Sequence, residues 1–235
     1  MKSHCTTGGW VLGNLIDGTQ AELPGNVDAR EMAVFSDAFP TGMECGTLNA
    51  NVQPGSSVVI VGAGPVGLSA MLTAKLYTPY PVVILDKQDT RLELAKNLGA
   101  DKVINVDAYN AMEELDSVVE GKGFDCVIEA VGTPTTFDLC QKLVAPGGSV
   151  ANIGVHGQKV TLDLDRLWDH NITTPGIKTK LVDTVTIPTL LRLFQAGRIQ
   201  SELLTHHYPF SDISNAYEAF QKGPKEGVMK VGIFF

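Results

Sequence analysis

Short apolar segments alternate with amphipathic segments along most of the chain, starting near residue 58. Short continuous apolar runs are typical of strands buried on both faces of a parallel sheet, and the longer segments between them carry the spacing of helices. The pattern predicts strands at residues 58–61, 82–86, 102–106, 126–130, 149–153 and near 172–178. It predicts helices at residues 66–76, 91–98, 111–119 and 137–143, with Asp89 and Thr90 capping the second of them. This alternation predicts an α/β fold built on a doubly wound parallel sheet.

The pattern on either side of these elements is less regular. A helix is predicted within residues 33–48, and the segments after residue 180 predict helices at 188–196 and 212–221, an extended segment at 208–210 and a closing strand at 228–235. Residues 1–25 are rich in Gly and Thr and are too short to bury a core of their own. We therefore divide the chain into a remnant of another domain at 1–32, a central α/β domain at 33–181 and a C-terminal segment at 182–235 that returns to that other domain.

The turn after the first predicted strand has the composition of a phosphate-binding loop. It reads Gly-Ala-Gly-Pro-Val-Gly and stands between an apolar strand and a helix. Gly62 permits the tight turn, Gly64 lets the backbone approach a pyrophosphate, and Gly67 lets the helix pack close to the sheet. Pro65 and Val66 open that helix, whose N-terminal N–H groups favour the negative charge of a diphosphate. The turn therefore predicts a Rossmann dinucleotide-binding domain.

A carboxylate at the end of the second strand indicates which dinucleotide is bound. Asp86 follows the glycines at close to the expected distance of about 20 residues, and its carboxylate can accept hydrogen bonds from both ribose hydroxyls of NAD. Against a 2′-phosphate at ~4 Å, the same charge would cost on the order of 4 kcal/mol at an effective dielectric constant of ~20. Lys87 and Arg91 lie close enough in sequence to soften this repulsion. We expect NAD to be preferred over NADP by roughly tens to hundreds of fold.

Composition and charge exclude several other classes of protein. The chain has 235 residues, 44% of them apolar, and a formal charge of −8, which disfavours a general nucleic-acid binder. The uncharged stretch at 58–74 is broken by glycines and Pro65, so we do not expect it to span a membrane. The N-terminus lacks the apolar stretch of a secretory signal, and the four cysteines are scattered without a disulfide framework. These features predict a cytoplasmic protein.

Five further segments resemble one enzyme family. They read HCTTGGW at 4–10, DGTQAE at 17–22, SDAFPTG at 36–42, EAVG at 129–132 and LTH at 204–206, and with the glycine turn they span nearly the whole chain. On these segments the chain resembles the zinc-dependent medium-chain alcohol dehydrogenases of bacteria. The resemblance implies NAD-linked hydride transfer between small alcohols and aldehydes or ketones. It also implies remnants of a GroES-like catalytic domain beside the dinucleotide-binding domain.

The resemblance assigns metal and catalytic roles to three residues. Asp37 resembles the third protein ligand of the catalytic zinc in bacterial members, and Thr41 would lie beside the nicotinamide ring. Cys5 resembles the last of four cysteines around the structural zinc.

Further cofactor contacts are implied at the ends of later elements. Val131 and Gly132 follow the fourth strand, and Val155 and His156 follow the fifth, so both pairs face the crevice where such sheets bind ligands. For His156 we favour a backbone contact with the nicotinamide carboxamide over a role for the imidazole. Lys230 is similar in position to a basic residue that reaches the pyrophosphate in this family, and a solvated lysine at a strand end is the alternative.

The chain departs from the family where zinc would be bound. The region that supplies the catalytic Cys and its His or Glu partner would precede Met1, and three cysteine partners of Cys5 are missing as well. A catalytic zinc needs about three protein ligands and an open position, which Asp37 alone cannot provide. We therefore expect a shortened dehydrogenase with an intact cofactor half, little or no zinc, and no catalysis by the chain on its own.

Two other functions remain open at this point. One is a catalytically silent NAD-binding protein or subunit. The other is a zinc-independent quinone or enoyl reductase, and the sequence supports this alternative less well because such enzymes need no acid at Asp37. Zinc content together with alcohol-dependent NADH formation would separate these alternatives. A sheet edge commonly pairs across a two-fold axis in the family, so we expect a homo-oligomer. Apolar residues facing the missing domain, among them Trp10, Leu12 and Phe39, are expected to be exposed.

Overall fold

The centre of the molecule is a six-stranded sheet in which every neighbouring pair of strands is parallel. The computed structural model of the chain describes residues 33–170, 176–183, 185–199, 203–223 and 227–234. The strands are β1 (Val58–Val61), β2 (Val82–Asp86), β3 (Lys102–Asn105), β4 (Phe124–Glu129), β5 (Val144–Asn152) and β6 (Ile177–Thr179). Their order across the sheet is β3-β2-β1-β4-β5-β6. The predicted doubly wound parallel sheet is therefore confirmed.

Helices cover both faces of this sheet. They are α1 (Ala38–Thr41), α2 (Pro65–Ala74), α3 (Asp89–Asn97), α4 (Ala111–Val118), α5 (Pro134–Leu143), α6 (Leu164–Leu167), α7 (Ile187–Gln195) and α8 (Ile213–Lys222). One apolar cluster joins the side chains of α2, α3 and α7 to one face of the sheet, and a second joins those of α4 and α5 to the other face. Because both faces are covered, the central strand β1 is buried along its whole length and reads as a continuous apolar run.

β1 and β2, the two strands with uninterrupted apolar runs, match their predicted bounds, whereas β4 begins two residues earlier than predicted and β5 departs further. β1 and β2 begin and end at the predicted residues. β5 begins five residues earlier than the predicted 149, because the Pro-Gly-Gly segment lies within the strand as an irregularity. The register with β4 moves from Phe124 opposite Val144 to Cys126 opposite Ser149, and Gly147 has a φ of +78°. The extra residues bulge out of the ladder, so a segment with the composition of a turn continues the strand.

The predicted cap of α3 is wrong. The helix begins at Asp89 itself, its N-cap residue is Gln88, and the side chain of Gln88 makes no capping hydrogen bond. The carboxylate of Asp89 instead accepts a hydrogen bond at 2.7 Å from Nδ2 of Asn105, at the end of β3. Asp89 therefore joins the helix to the neighbouring strand.

A compact helical segment precedes the sheet and packs on α2. It consists of a 3₁₀ turn (Ala33–Ser36), α1 and a π-helical turn (Gly42–Thr47). The expectation that Phe39 is exposed is wrong, because its side chain is 0% exposed and stacks on Phe35 at 4.7 Å between ring centroids. Phe194 of α7 covers the same aromatic pair. The missing cover that we expected another domain to supply thus comes from the chain's own later helix, whereas Trp10 and Leu12 lie outside the described residues.

The C-terminal part forms a smaller unit attached to this segment. β7 (His206–Pro209) pairs in parallel with β8 (Val231–Phe234), and α8 lies between them in sequence. Buried Leu203 and Met229 join the same apolar cluster as Leu190 of α7. The large sheet ends with β6 at Thr179, close to the predicted boundary at 181, and the division into domains stays a prediction.

No helix within the described part of the chain is long and apolar enough to cross a membrane.

The contact of Gly42 with α2 yields a stability prediction. A Cβ atom at Gly42 would lie 2.5 Å from the backbone nitrogen of Ala70 and 2.7 Å from the carbonyl carbon of Ser69. We expect Gly42→Ala to lower the free energy of unfolding by about 1–3 kcal/mol, since the helices must move apart. Urea unfolding followed by circular dichroism measures this change. Gly157→Ala is the control, because a Cβ there meets no atom within 4 Å and the change should stay within about 0.5 kcal/mol. Equal stability of the Gly42 variant and the unmodified protein would contradict the packing described here.

Candidate functional site

The strand order reverses direction beside β1, which creates a crevice at the carboxyl ends of the strands. β2 lies on one side of β1 and β4 on the other, with Val58 opposite both Val82 and Cys126. In open parallel sheets the loops that leave the strands at such a reversal diverge, so a ligand can enter between them. The loops after β1, β2, β4 and β5 all meet at this edge, and they carry most of the predicted site residues.

The glycine turn after β1 is held by a backbone contact that admits no side chain. Gly62 has a φ of +106°, and a Cβ there would lie 2.7 Å from Cγ2 of Val131. A Cβ at Gly67 would overlap the carbonyl oxygen of Gly62. The first turn of α2 therefore lies directly on the end of β1, which is the role predicted for the first and third glycines.

The middle glycine borders open space. A Cβ at Gly64 would meet no atom within 4 Å, although the residue is the N-cap of α2. No side chain caps this helix, and the N–H of Leu68 makes the first intrahelical bond, to the carbonyl of Gly64 at 2.9 Å. Pro65 has no N–H, so the N–H groups of Val66 and Gly67 are the free donors of the first turn. The space beside Gly64 thus has the shape and the donors for a diphosphate.

Asp86 is bonded to the backbone around it. Its Oδ2 accepts a hydrogen bond from the N–H of Ala63 in the glycine turn at 2.8 Å. Its Oδ1 accepts from the N–H groups of Lys87 at 2.8 Å and Gln88 at 2.9 Å. The carboxylate therefore fixes the loop after β2 to the loop after β1. Two carboxylate oxygens offer about four acceptor positions, so capacity remains for a ribose hydroxyl.

The two basic residues predicted near Asp86 differ in their partners. Nη1 of Arg91 lies 3.8 Å from Oδ2 of Asp86, and Nε of Arg91 is buried with no hydrogen-bond partner. Nζ of Lys87 instead lies 3.6 Å from the carboxylate of Asp107, and both side chains are largely exposed. Arg91 is therefore the basic residue that the structure brings to Asp86.

The loops after β4 and β5 carry the other predicted cofactor residues and touch each other. A Cβ at Gly132 would lie 2.6 Å from the carbonyl oxygen of Val155, so the two turns are in backbone contact. The side chains of Val131 and Val155 are exposed, and that of His156 is mostly buried. Val131, Gly132, Val155 and His156 thus form one continuous wall on the β4 side of the crevice.

Sequence reasoning missed the residue that holds this wall. Glu129, at the end of β4, is fully buried, and its carboxylate accepts hydrogen bonds from the N–H groups of Val131 at 3.0 Å and Gly132 at 2.9 Å and from the hydroxyl of Thr136 at 2.7 Å. A signal was present, because an acid that directly follows an apolar strand and precedes Ala-Val-Gly is the counterpart of Asp86 after β2.

The predicted metal and catalytic residues make only local contacts. Asp37 is exposed, and its Oδ1 accepts a hydrogen bond from the hydroxyl of Thr41 at 3.0 Å. Within the described ranges, no group of three His, Cys, Asp or Glu side chains could hold a metal ion, so a zinc site does not fit those residues. Cys5 lies outside them. The carbonyl of Lys230 accepts from the N–H of Thr205 at 3.1 Å, which places Lys230 in the C-terminal unit; its contact with the pyrophosphate stays a prediction.

Burial raises the pKa of the three buried cysteines. Burial raises the pKa of Cys45 to about 11, with the nearby Glu44 adding to the effect, and burial likewise raises the pKa of Cys126 to about 11. The pKa of Cys140 is raised well above its ordinary value, chiefly by burial. These thiols stay protonated near neutral pH and pack as small apolar groups.

A second buried acid, Glu44, joins the segment that follows β6 to the helical segment that carries Asp37 and Thr41. Glu44, in the π-helical turn, accepts hydrogen bonds from the N–H of Asp183 at 2.6 Å and from the N–H and hydroxyl of Thr186 at 3.0 and 2.7 Å. Because α7 begins directly after Thr186, this carboxylate fixes the connection between the large sheet and the C-terminal part.

Comparison with known proteins agrees with this geometry. A family described as zinc-binding dehydrogenase matches residues 65–196, which include the last three residues of the glycine turn, Asp86 and both turns of the opposite wall. The chain belongs to this family. It is 33% identical to an alcohol dehydrogenase of Cupriavidus necator over 97% of its own length and 66% of that protein. It is 34% identical to an L-threonine 3-dehydrogenase of Pyrococcus horikoshii over 78% of its length and 53% of that protein.

A solved structure gives the same fold. The apo form of zinc-dependent alcohol dehydrogenase 2 from Streptococcus pneumonia superposes with a TM-score of 0.84 and 38% identity, covering 97% of this chain and 69% of that one. The chain therefore spans roughly half to two thirds of the length of these dehydrogenases.

The glycine turn yields a matched pair of variants. We expect Gly64→Val to fold normally and to lose nucleotide binding at least about a hundredfold, because the side chain would fill only the open space in which a diphosphate is predicted to lie. The same change at Gly67 should reduce both stability and binding, since its side chain would overlap the backbone of Gly62. Circular dichroism and calorimetric titration with NAD report the two properties. Undiminished affinity in a folded Gly64→Val protein would place the phosphates elsewhere.

Proposed function

We propose that this chain binds NAD(H) across the crevice. The diphosphate lies over Gly64, the adenosine ribose hydrogen-bonds to Asp86, and the nicotinamide lies against the turns after β4 and β5. The observation that carries the proposal is the open space beside Gly64, at a helix N-terminus without a cap, next to a carboxylate bonded to the same turn. Helix dipole and free N–H groups both favour a diphosphate at this position.

We further propose that the reaction is hydride transfer between a small alcohol and the corresponding carbonyl compound. Bound NAD would accept the hydride. Support comes from the relatives, which are alcohol and threonine dehydrogenases. Asp37 and Thr41 are proposed as the residues of this chain nearest the reaction. Asp37 offers a single carboxylate, and the described residues hold no group that would complete a zinc ligand set around it.

A homo-oligomer is the proposed assembly. β6 is an edge of the sheet formed by the described strands, and it is three residues long. Leu164 and Trp168, in the segment between β5 and β6, are 62% and 74% exposed. A strand edge that is unpaired among the described strands, together with exposed apolar side chains, is a surface that a second copy of the chain can cover.

Cofactor selectivity follows from the position of Asp86. We expect NAD to bind roughly tens to hundreds of fold more tightly than NADP. The mostly buried carboxylate of Asp86 would face the 2′ position of the adenosine ribose and repel a 2′-phosphate there. Asp86→Ala should bring the two affinities within about tenfold of each other and should also weaken binding of both, since three backbone N–H groups lose their acceptor. Calorimetry with each cofactor measures the ratio.

Asp101→Ala is the matched control, because it separates the loss of stability from the loss of cofactor selectivity. Asp101 also accepts a backbone hydrogen bond, from the N–H of Val82 at 2.8 Å, but at the opposite end of β2. Its replacement should lower stability and leave the ratio of the two affinities unchanged. Tighter binding of NADP by the unmodified protein, or an unchanged ratio in Asp86→Ala, would contradict the role of Asp86.

A further inference from the structure

On the β4 and β5 side of the crevice, the mostly buried side chain of His156 lies within the turn after β5. If the dinucleotide binds as proposed, its adenosine half lies toward β2 and Asp86, so its other half must extend toward β4 and β5. At the ends of these strands the exposed side chains of Val131 and Val155 offer apolar surface to a flat ring. Their placement depends on the backbone of two turns, Val131–Gly132 and Gly154–Val155.

The first turn is fixed by Glu129. The N–H groups of Val131 and Gly132 both donate to the Glu129 carboxylate. That carboxylate also accepts from Thr136 in the capping box of α5. Glu129 further accepts through its main chain, because its carbonyl oxygen receives the N–H groups of Ile153 at 2.8 Å and Gly154 at 3.1 Å. One buried residue therefore bonds to both turns.

The second turn is fixed by Asn152 and His156. Nδ2 of Asn152 donates to the carbonyl of Gly154 at 3.1 Å, which directs Oδ1 of Asn152 toward Nε2 of His156 at 2.8 Å. Since Oδ1 is an acceptor, Nε2 carries the proton in this bond. The buried Nδ1 has no partner, and an unpaired lone pair there is cheaper than an unpaired N–H, which favours the same neutral tautomer.

The imidazole also lies close to the residue that fixes the first turn. Its Nε2 is 3.7 Å from Oε2 of Glu129, and its ring packs nearly perpendicular to that of Phe137 on α5, with 5.7 Å between the centroids. The two turns are packed in direct backbone contact, because a Cβ at Gly132 or at Gly154 would overlap the backbone of the facing turn. Loss of the hydrogen bond made by the imidazole is therefore expected to move Val155 and, through Glu129, Val131.

We propose that the imidazole of His156 is a positioning residue for the nicotinamide half of the dinucleotide. Through its hydrogen bond to Asn152 it holds the turn that presents Val155, and with Glu129 and Phe137 it fixes that turn against the one that presents Val131. The adenosine half, bound on the other side of β1, does not depend on it. This inference rests on the proposed function and assigns to the side chain a role that a backbone contact alone would not give it.

Comparison of NADH with ADP-ribose tests the proposal, because ADP-ribose has the adenosine and diphosphate but no nicotinamide. The unmodified protein should bind both, and NADH more tightly. His156→Leu has similar bulk but no donor for Asn152, and it should weaken NADH binding about tenfold while changing ADP-ribose binding less than about twofold. His156→Gln keeps an N–H near the position of Nε2, and it should restore NADH affinity to within about threefold of the unmodified protein.

The outcomes separate this inference from the function on which it rests. Binding of neither ligand by the unmodified protein would overturn the proposed function itself. If both ligands bind but His156→Leu weakens them equally, or weakens neither, the positioning role is overturned while the dinucleotide site stands. Failure of His156→Gln to recover affinity would also count against the hydrogen bond to Asn152 as the means of positioning. Calorimetric titration on the full chain gives all these affinities, and circular dichroism shows whether each variant is folded.

Discussion

The close contact between Gly62 and Gly67 is the constraint on which the rest of the site depends. The carbonyl of Gly62 occupies the space where any side chain at Gly67 would begin, so α2 starts directly above the end of β1. This contact aims the free N–H groups of the helix at the crevice and leaves Gly64 beside open space. Without it, the helix would stand away from the sheet, and neither the donors nor the dipole would point at one position.

Buried carboxylates organise the loops around this contact. Asp86 bonds to backbone N–H groups of the loops after β1 and β2, Glu129 to those of the loop after β4, and Glu44 to those of the segment that precedes α7. In each case an acid that is costly to bury is compensated by two or more N–H or hydroxyl donors. The same acid thereby fixes a backbone segment that has no regular hydrogen-bond ladder of its own. The loops can therefore be irregular in sequence and still hold defined positions.

Sequence alone predicted those parts of the fold in which the local pattern and the tertiary environment agree. β1 and β2 were predicted to the residue because their apolar runs are uninterrupted and buried on both faces. β5 was predicted too short because its Pro-Gly-Gly segment has the composition of a turn, yet it continues a bulged strand. Phe39 was predicted to be exposed because no local pattern indicates that it stacks on Phe35, which in turn contacts Phe194, a residue far away in sequence.

The candidate site divides in the same way. The glycines and Asp86 follow one another along a single β-α-β unit, so spacing was sufficient to predict that they lie together in the structure. Glu129, Asn152 and His156 meet only because β4 and β5 are neighbours, and their joint role required the sheet order and the register. Asp37 and Thr41 were assigned by resemblance, and the structure adds only the hydrogen bond between them.

Amide resonances of the isotopically labelled protein, followed during titration with NAD, test the central claim most directly. The account predicts that the N–H groups of Val66 and Gly67, at the free end of α2, show large shifts on binding, and that the N–H of Lys75, at the other end of the same helix, does not. Binding of NAD without a change at Val66 and Gly67 would contradict the placement of the diphosphate over Gly64.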